Sequence, residues 1–403
     1  MYFYQLKKTI MKSFIQNFFS TILAIIISII IVIVFLTGII TVMSSKQETL
    51  VKENSILKID LENTAVVERK SENPFDKFNF SGEVLKTIDL KQILDNIEKA
   101  KNDDNIKAIY ITNSIVNSGL SQIEEIRNKL LDFKENGKQI IAYSETYSQS
   151  AYYLSSIADK IYLNPEGIIE IKGFAAEIMF FKGLLEKLNI DIQIVRHGTF
   201  KSAVEPFTLD KMSAENKEQL IRLLNSIANN IMDSIASQRG FSLSKIQQHA
   251  DNLSLENAQS CLELNYVDGL IYQDQVEDSL IAASGSDKLN LINLNNYTNT
   301  KSHEEEISRN KIAVIYATGT INRGKGDDKS IGSATTAKAI KRAREDRNVK
   351  AIVLRINSGG GSALASEVIW RETILTKKAK KPLVVSMGDY AASGGYYIAC
   401  AAD

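Results

Sequence analysis

An internal repeat constrains this chain more than any other feature. Asp104-Asn-Ile-Lys-Ala-Ile-Tyr-Ile returns as Arg347-Asn-Val-Lys-Ala-Ile-Val-Leu. Ala151-Tyr-Tyr-Leu-Ser-Ser-Ile-Ala-Asp159 returns as Gly395-Tyr-Tyr-Ile-Ala-Cys-Ala-Ala-Asp403. The first pair is offset by 243 positions and the second by 244, so one insertion or deletion separates two copies of the same unit.

Each copy reads as alternating strands and helices. In the first, apolar runs near Ile56–Leu61, Ala108–Thr112, Ile140–Tyr143 and Ile161–Leu163 suit buried strands. Leu90–Ala100 and Ile123–Phe133 carry apolar residues at helical spacing, and Asp89 with Gln92 reads as a capping box. The second copy predicts strands near Ile312–Ala317, Ala351–Ile356 and Leu383–Ser386, with helices between. Such alternation implies mostly parallel strands and an α/β fold. From Ser213 to about Ala283 the chain is helical and amphipathic, and 293–311 is a polar connection. The expected organisation is 1–45, 46–292, 293–311 and 312–403. The first copy continues beyond Asp159 with a strand, a turn and a helical arm, whereas Asp403 is the last residue of the second. The second domain is therefore expected to be incomplete, as a fragment of a longer chain or a natural truncation.

Phe18 to Met43 contains no charge over 26 residues. As a helix it would span roughly 39 Å, more than a ~30 Å hydrocarbon core. Lys7, Lys8 and Lys12 precede it and a mixed flank follows, which predicts an uncleaved signal anchor contacting lipid through residues 18–43. The N-terminus would face the cytoplasm and the soluble part the extracytoplasmic side of the cytoplasmic membrane. Acidic and basic residues balance at 48 each, giving no basic stripe for nucleic acid. Two cysteines, Cys261 and Cys400, make neither a disulfide framework nor a metal site and read as small core residues.

The sharpest chemical signal is Met387-Gly-Asp-Tyr-Ala-Ala-Ser-Gly-Gly-Tyr-Tyr397. A strand ends near Ser386, small residues follow, and Ser393 falls at a helix start, near the positive end of its dipole. The Gly394 N–H is free to face a developing oxyanion. Arg355-Ile-Asn-Ser-Gly-Gly-Gly-Ser362 is a second strand-to-helix turn at the same sheet edge. A serine nucleophile needs a base. His197, His249 and His303 stand in no recognisable triad order. Lysine is the alternative where desolvation keeps it neutral, and Arg196-His-Gly-Thr-Phe-Lys-Ser-Ala-Val-Glu-Pro-Phe207 offers Lys201.

These two blocks, Gly-Thr-Phe-Lys-Ser-Ala-Val-Glu-Pro-Phe and Ala-Ala-Ser-Gly-Gly-Tyr-Tyr, resemble the active-site blocks of the long form of the signal peptide peptidase A (protease IV) family. The resemblance covers essentially the whole chain. It implies tandem ClpP/crotonase-like domains behind an N-terminal transmembrane helix. It implies Ser393 as nucleophile, Lys201 as general base, and an oxyanion hole from Gly360, Gly361 and Gly394. It implies peptide substrates such as signal-peptide remnants, a homo-oligomer that is commonly tetrameric, and no metal or cofactor. Gln149 aligns with Ser393, so the first copy has no nucleophile there and one dyad per chain is expected. The family usually has proline where Gly359 stands, which makes this turn more flexible. Two rival readings share the fold: an inactive membrane-anchored scaffold or binding protein, and an acyl-CoA enzyme of the crotonase type. The anchor and the two blocks speak against the latter.

Overall fold

The computed structural model describes residues 14, 17–35, 50–70, 86–300 and 308–403. Helix α1 (Asn17–Phe35) is 19 residues long, with every side chain exposed. Its length of roughly 28 Å and its composition suffice to cross a bilayer. The remainder of the expected span, up to Met43, lies outside the described residues.

Val51–Thr298 and Ser302–Asp403 form one compact unit. It opens with β1 (Ser55–Ile59), β2 (Thr64–Val67), β3 (Lys86–Asp89), α2 (Leu90–Asn102), β4 (Ile106–Ile111), α3 (Leu120–Glu135), β5 (Gln139–Tyr147), α4 (Gln149–Ser155) and β6 (Lys160–Ile169). The helical region follows: α5 (Lys182–Lys187), α6 (Glu205–Thr208), α7 (Ala214–Arg239), α8 (Leu243–Asp251) and α9 (Ala258–Glu263). Then come β7 (Gly269–Leu270), α10 (Gln273–Ser284), β8 (Leu291–Asn293) and α11 (Leu294–Thr298). The last part holds β9 (Lys311–Thr318), β10 (Thr320–Asn322), β11 (Ser330–Gly332), α12 (Ser333–Glu345), β12 (Val349–Ser358), α13 (Ala363–Lys378), β13 (Leu383–Ala391) and α14 (Gly394–Ala399).

The fold is mixed α/β with parallel sheets. Six strands run in the order β7-β6-β5-β4-β1-β8, and three more in the order β13-β12-β9, all paired in parallel. Strand β4 is apolar on both faces because helices cover both. Ile106, Ile109 and Ile111 pack with Ile93, Ile97, Ile123, Ile126, Leu130 and Phe133 of α2 and α3. Ala108 and Tyr110 meet Val276 and Leu280 of α10 on the other face. Each such large apolar side chain contributes roughly 1.5–3 kcal/mol by leaving water. The second sheet has its own core, around Ile340, Ile352, Leu354, Ile356, Ile369 and Ile398. On its opposite face, Ile312, Val314 and Val384 are 46–66% exposed.

Three local expectations change. Asp89 caps α2 by backbone geometry alone. Its carboxylate instead accepts the Lys70 N–H, and Gln92 donates to Thr298 Oγ1 at 2.8 Å, so no capping box forms. The 293–311 connection contains β8's end and the short helix α11. Cys261 is buried but Cys400, which follows the last helix, is exposed.

Candidate active site

The two glycine-rich turns lie against each other at the ends of adjacent strands. β12 and β13 pair in register from Ile352↔Leu383 to Ile356↔Met387, and the ladder then shifts so that Ser358 meets Ala391. That shift carries β13 past Gly388 and Asp389, well beyond the expected end near Ser386. Ala392 N donates to Ser358 O at 3.1 Å, and Gly395 N returns to Ala392 O at 2.8 Å. The chain between turns sharply at Ser393, which holds φ 51° and ψ −119°. A non-glycine residue there costs roughly 1–3 kcal/mol and persists only where the surroundings enforce it. Ser393 is exposed, and among the described residues its hydroxyl has no hydrogen-bond partner.

The opposing turn is built to touch that serine. Gly360 has φ 101°, and a Cβ placed on it would lie 2.6 Å from Gly394 N and 2.8 Å from Ser393 Cβ. Ile321 of β10 straps the turn: its N–H donates to Gly360 O and its carbonyl accepts from Ser362 N, both at 2.9 Å. The buried Ser358 hydroxyl donates to Gly319 O at 2.6 Å and accepts the Gly360 N–H at 3.1 Å. The Gly360 N–H is thus already used. The N–H groups of Gly361 and Gly394 make no hydrogen bond to another described residue. At Gly359 a Cβ would meet open space, so nothing in the turn's packing demands glycine.

Lys201 stands apart. It is exposed, as is Phe200 beside it. Its carbonyl accepts from Arg196 Nη1 at 3.4 Å, and among the described residues no hydrogen bond or ion pair joins its ammonium to Ser393. Its segment is anchored by Glu205, which is 2% exposed. That carboxylate accepts from Ser213 Oγ at 2.6 Å, Ser213 N at 3.2 Å and Asn216 Nδ2 at 2.9 Å. The Ser213 hydroxyl bond leads in holding its pKa below the ordinary carboxylate value. Of the histidines, His197 is exposed, His303 lies outside the described residues, and His249 Nδ1 sits 3.1 Å from Tyr266 OH. Gln149 offers no nucleophile: its amide oxygen accepts from Lys172 N and Gly173 N.

Sequence reasoning missed the polar layer beneath the turns. Glu68, the residue after β2, takes two bonds from Arg355 of β12, at 2.8 and 3.0 Å, in a pair with both side chains under 8% exposed. Gln122 Nε2 and Asn357 Nδ2 complete its shell at 3.0 and 3.3 Å. The only signal in the sequence was that Arg355 and Asn357 sit inside the singled-out turn block.

The profile of peptidase family S49 matches residues 132–285 and 376–403, the stretches that hold Lys201 and Ser393. The chain is 38% identical over 320 residues to "Protease 4" of Haemophilus influenzae and 37% identical over 339 residues to "Protease 4" of Salmonella typhi. The chain carries a peptidase family S49 domain. These two relatives are matched over 76% and 81% of this chain. A third, "Serine protease SPPA, chloroplastic" of Arabidopsis thaliana, is 32% identical over 325 residues. The matches span 52%, 54% and 48% of those proteins, so this chain covers about half the length of the curated relatives it matches.

Proposed function

We propose that this chain is the catalytic part of a membrane-anchored serine endopeptidase in which Ser393 is the nucleophile. The observation that carries this reading is the Ser393 turn: a strained, exposed serine at a helix start, packed against a glycine that admits no side chain. The match to the peptidase family S49 model supports the same class of reaction. Lys201 would take the hydroxyl proton as Oγ attacks the peptide carbonyl. The free N–H groups of Gly361 and Gly394 would stabilise the tetrahedral oxyanion, with Gly360 supplying clearance rather than a donor. An acyl-enzyme forms, the amine leaves with the proton, and Lys201 then activates water to release the acid.

The finer reading is tandem ClpP/crotonase-like domains, anchored by α1 with the compact unit on the extracytoplasmic side. Substrates would be signal-peptide remnants and other apolar peptides, and the assembly a homo-oligomer such as a tetramer. A second reading, an inactive anchored scaffold, is favoured by one observation: Lys201 is exposed and unlinked to Ser393. Labelling with a fluorophosphonate separates the two. The peptidase reading expects covalent capture at Ser393, lost in Ser393→Ala and slowed at least a hundredfold in Lys201→Ala. An unlabelled Ser393 in the full membrane-bound protein leaves the scaffold.

A further inference from the structure

We propose that Asp389 is a positioning residue of the Ser393 site, which holds the serine turn in register by bridging the two halves of the chain. The proposal rests on the reading of Ser393 as nucleophile. Asp389 lies on β13, four positions before Ser393. Its Oδ1 accepts from Ser121 N at 3.0 Å and from Ser121 Oγ at 2.9 Å. Its Oδ2 accepts from Asn357 Nδ2 at 3.4 Å. One carboxylate therefore grips the first copy on one side and the strand leading to the Gly360 turn on the other.

The grip on the first copy is a helix cap supplied from outside the helix. Ser121 is the second residue of α3, where the side chain of the N-cap residue ordinarily accepts. That N-cap is Gly119, which has no side chain to offer. A Cβ on Gly119 would fall within 2.1 Å of three atoms of the Asp389 carboxylate. The matching residue at the 243 offset, Ser362, caps its own helix α13 by accepting from Ala365 N at 3.3 Å. The first copy has thus given up its own cap, and the vacated space holds an acidic residue of the second. A negative charge at the start of a 16-residue helix is electrostatically favoured.

The other grip falls where the ladder slips. Asn357 lies between Ile356 and Ser358, at the irregularity in the β12–β13 pairing. Its Oδ1 accepts from Tyr390 N at 3.2 Å, and Gly388 makes room for it, since a Cβ there would lie 3.1 Å away. The next residue, Ser358, receives Ala392 N and fixes Gly360 against Ser393. A displacement at Asn357 is passed to both turns, while Asp389 itself touches no reacting atom.

The test uses the full chain in its membrane, with fluorophosphonate labelling of Ser393, kcat and KM on a fluorogenic apolar peptide, and amide exchange at Ser121 and Tyr390. Asp389→Ala is expected to speed exchange at both amides and to lower kcat and the labelling rate about tenfold or more, with KM within about twofold. Asp389→Asn keeps an acceptor for Ser121 but turns a donor toward Asn357. It is expected to protect Ser121 as the parent does, free Tyr390, and lose part of kcat. Wild-type labelling in Asp389→Ala, or a loss confined to KM, overturns the proposal. Should the alanine variant not fold, a folded asparagine variant with parental kcat overturns it equally. Faster exchange at both amides in Asp389→Ala, beside a parent that is never labelled, would sink the nucleophile reading and the positioning role with it. Unchanged exchange beside a labelled parent sinks the positioning role alone.

Discussion

At the residue scale the site is defined by what is missing from its side chains. Gly360 is placed so that a methyl group would have to enter the space of Ser393 Cβ and Gly394 N, and its φ of 101° is hostile to any other residue. Gly360→Ala is therefore expected to displace the serine turn and the Gly394 donor together. Loss of an oriented oxyanion donor costs roughly 10²–10³ in kcat, and the same change at Gly359, where space is open, should cost less than about threefold. Steady-state kinetics on the two variants compares them directly, and equal losses would refute the steric account. The sequence showed glycines at both positions but not which of them the packing requires. That distinction depends on how β12 and β13 pair, and so on residues in another part of the chain. The Glu68–Arg355 pair was hidden for the same reason: its members are 287 positions apart and neither lies in a periodic pattern.

At the scale of elements, the apolar segments were the legible ones. β1, β4 and α3 fall where the apolar periodicity puts them, because burial on one or both faces selects those residues. The end of β13 was not legible: the sequence reads as a strand that ends near Ser386 and gives way to a small-residue turn, yet backbone pairing and the Asn357 side chain keep it extended to Ala391. The short α6 is held similarly, by a polar staple. Glu205 joins α6 to the first turn of α7 through Ser213 and Asn216. Its folded pKa is depressed, first by the Ser213 hydroxyl, so its contribution is complete above the ordinary value of 4.5 and is lost as pH falls through the depressed value. Glu205→Gln should lower the urea midpoint at pH 7 and open Lys201 and Lys211 to trypsin. The difference from the parent should shrink on acidification and vanish once the pH is below the depressed value. A gap that persists there would mean that shape, not charge, holds the staple.

At the scale of the whole molecule, the repeat made the two sheets predictable, whereas the relation of Lys201 to Ser393 was not written in either copy. The lysine block lies in a segment with Met179, Leu184, Leu188, Ile190 and Phe200 all exposed by 49% or more. A lysine works as a base only while its neutral form is populated, and removal from water is what favours that form. Exposed apolar surface of this extent is itself a mark of an interaction face. If Ser393 and Lys201 act together, some surface must cover this segment, and under the proposed oligomer that surface is another protomer. Activity per chain should then rise with protein concentration and level off as assembly completes, in step with the sedimentation of the detergent-solubilised protein. Met179→Glu, remote in sequence from both proposed catalytic residues, should shift that rise to higher concentration without altering the plateau by more than about twofold. A specific activity independent of concentration across the assembly range would mean that a single chain covers its own lysine. The exposed apolar segment would then need a different occupant.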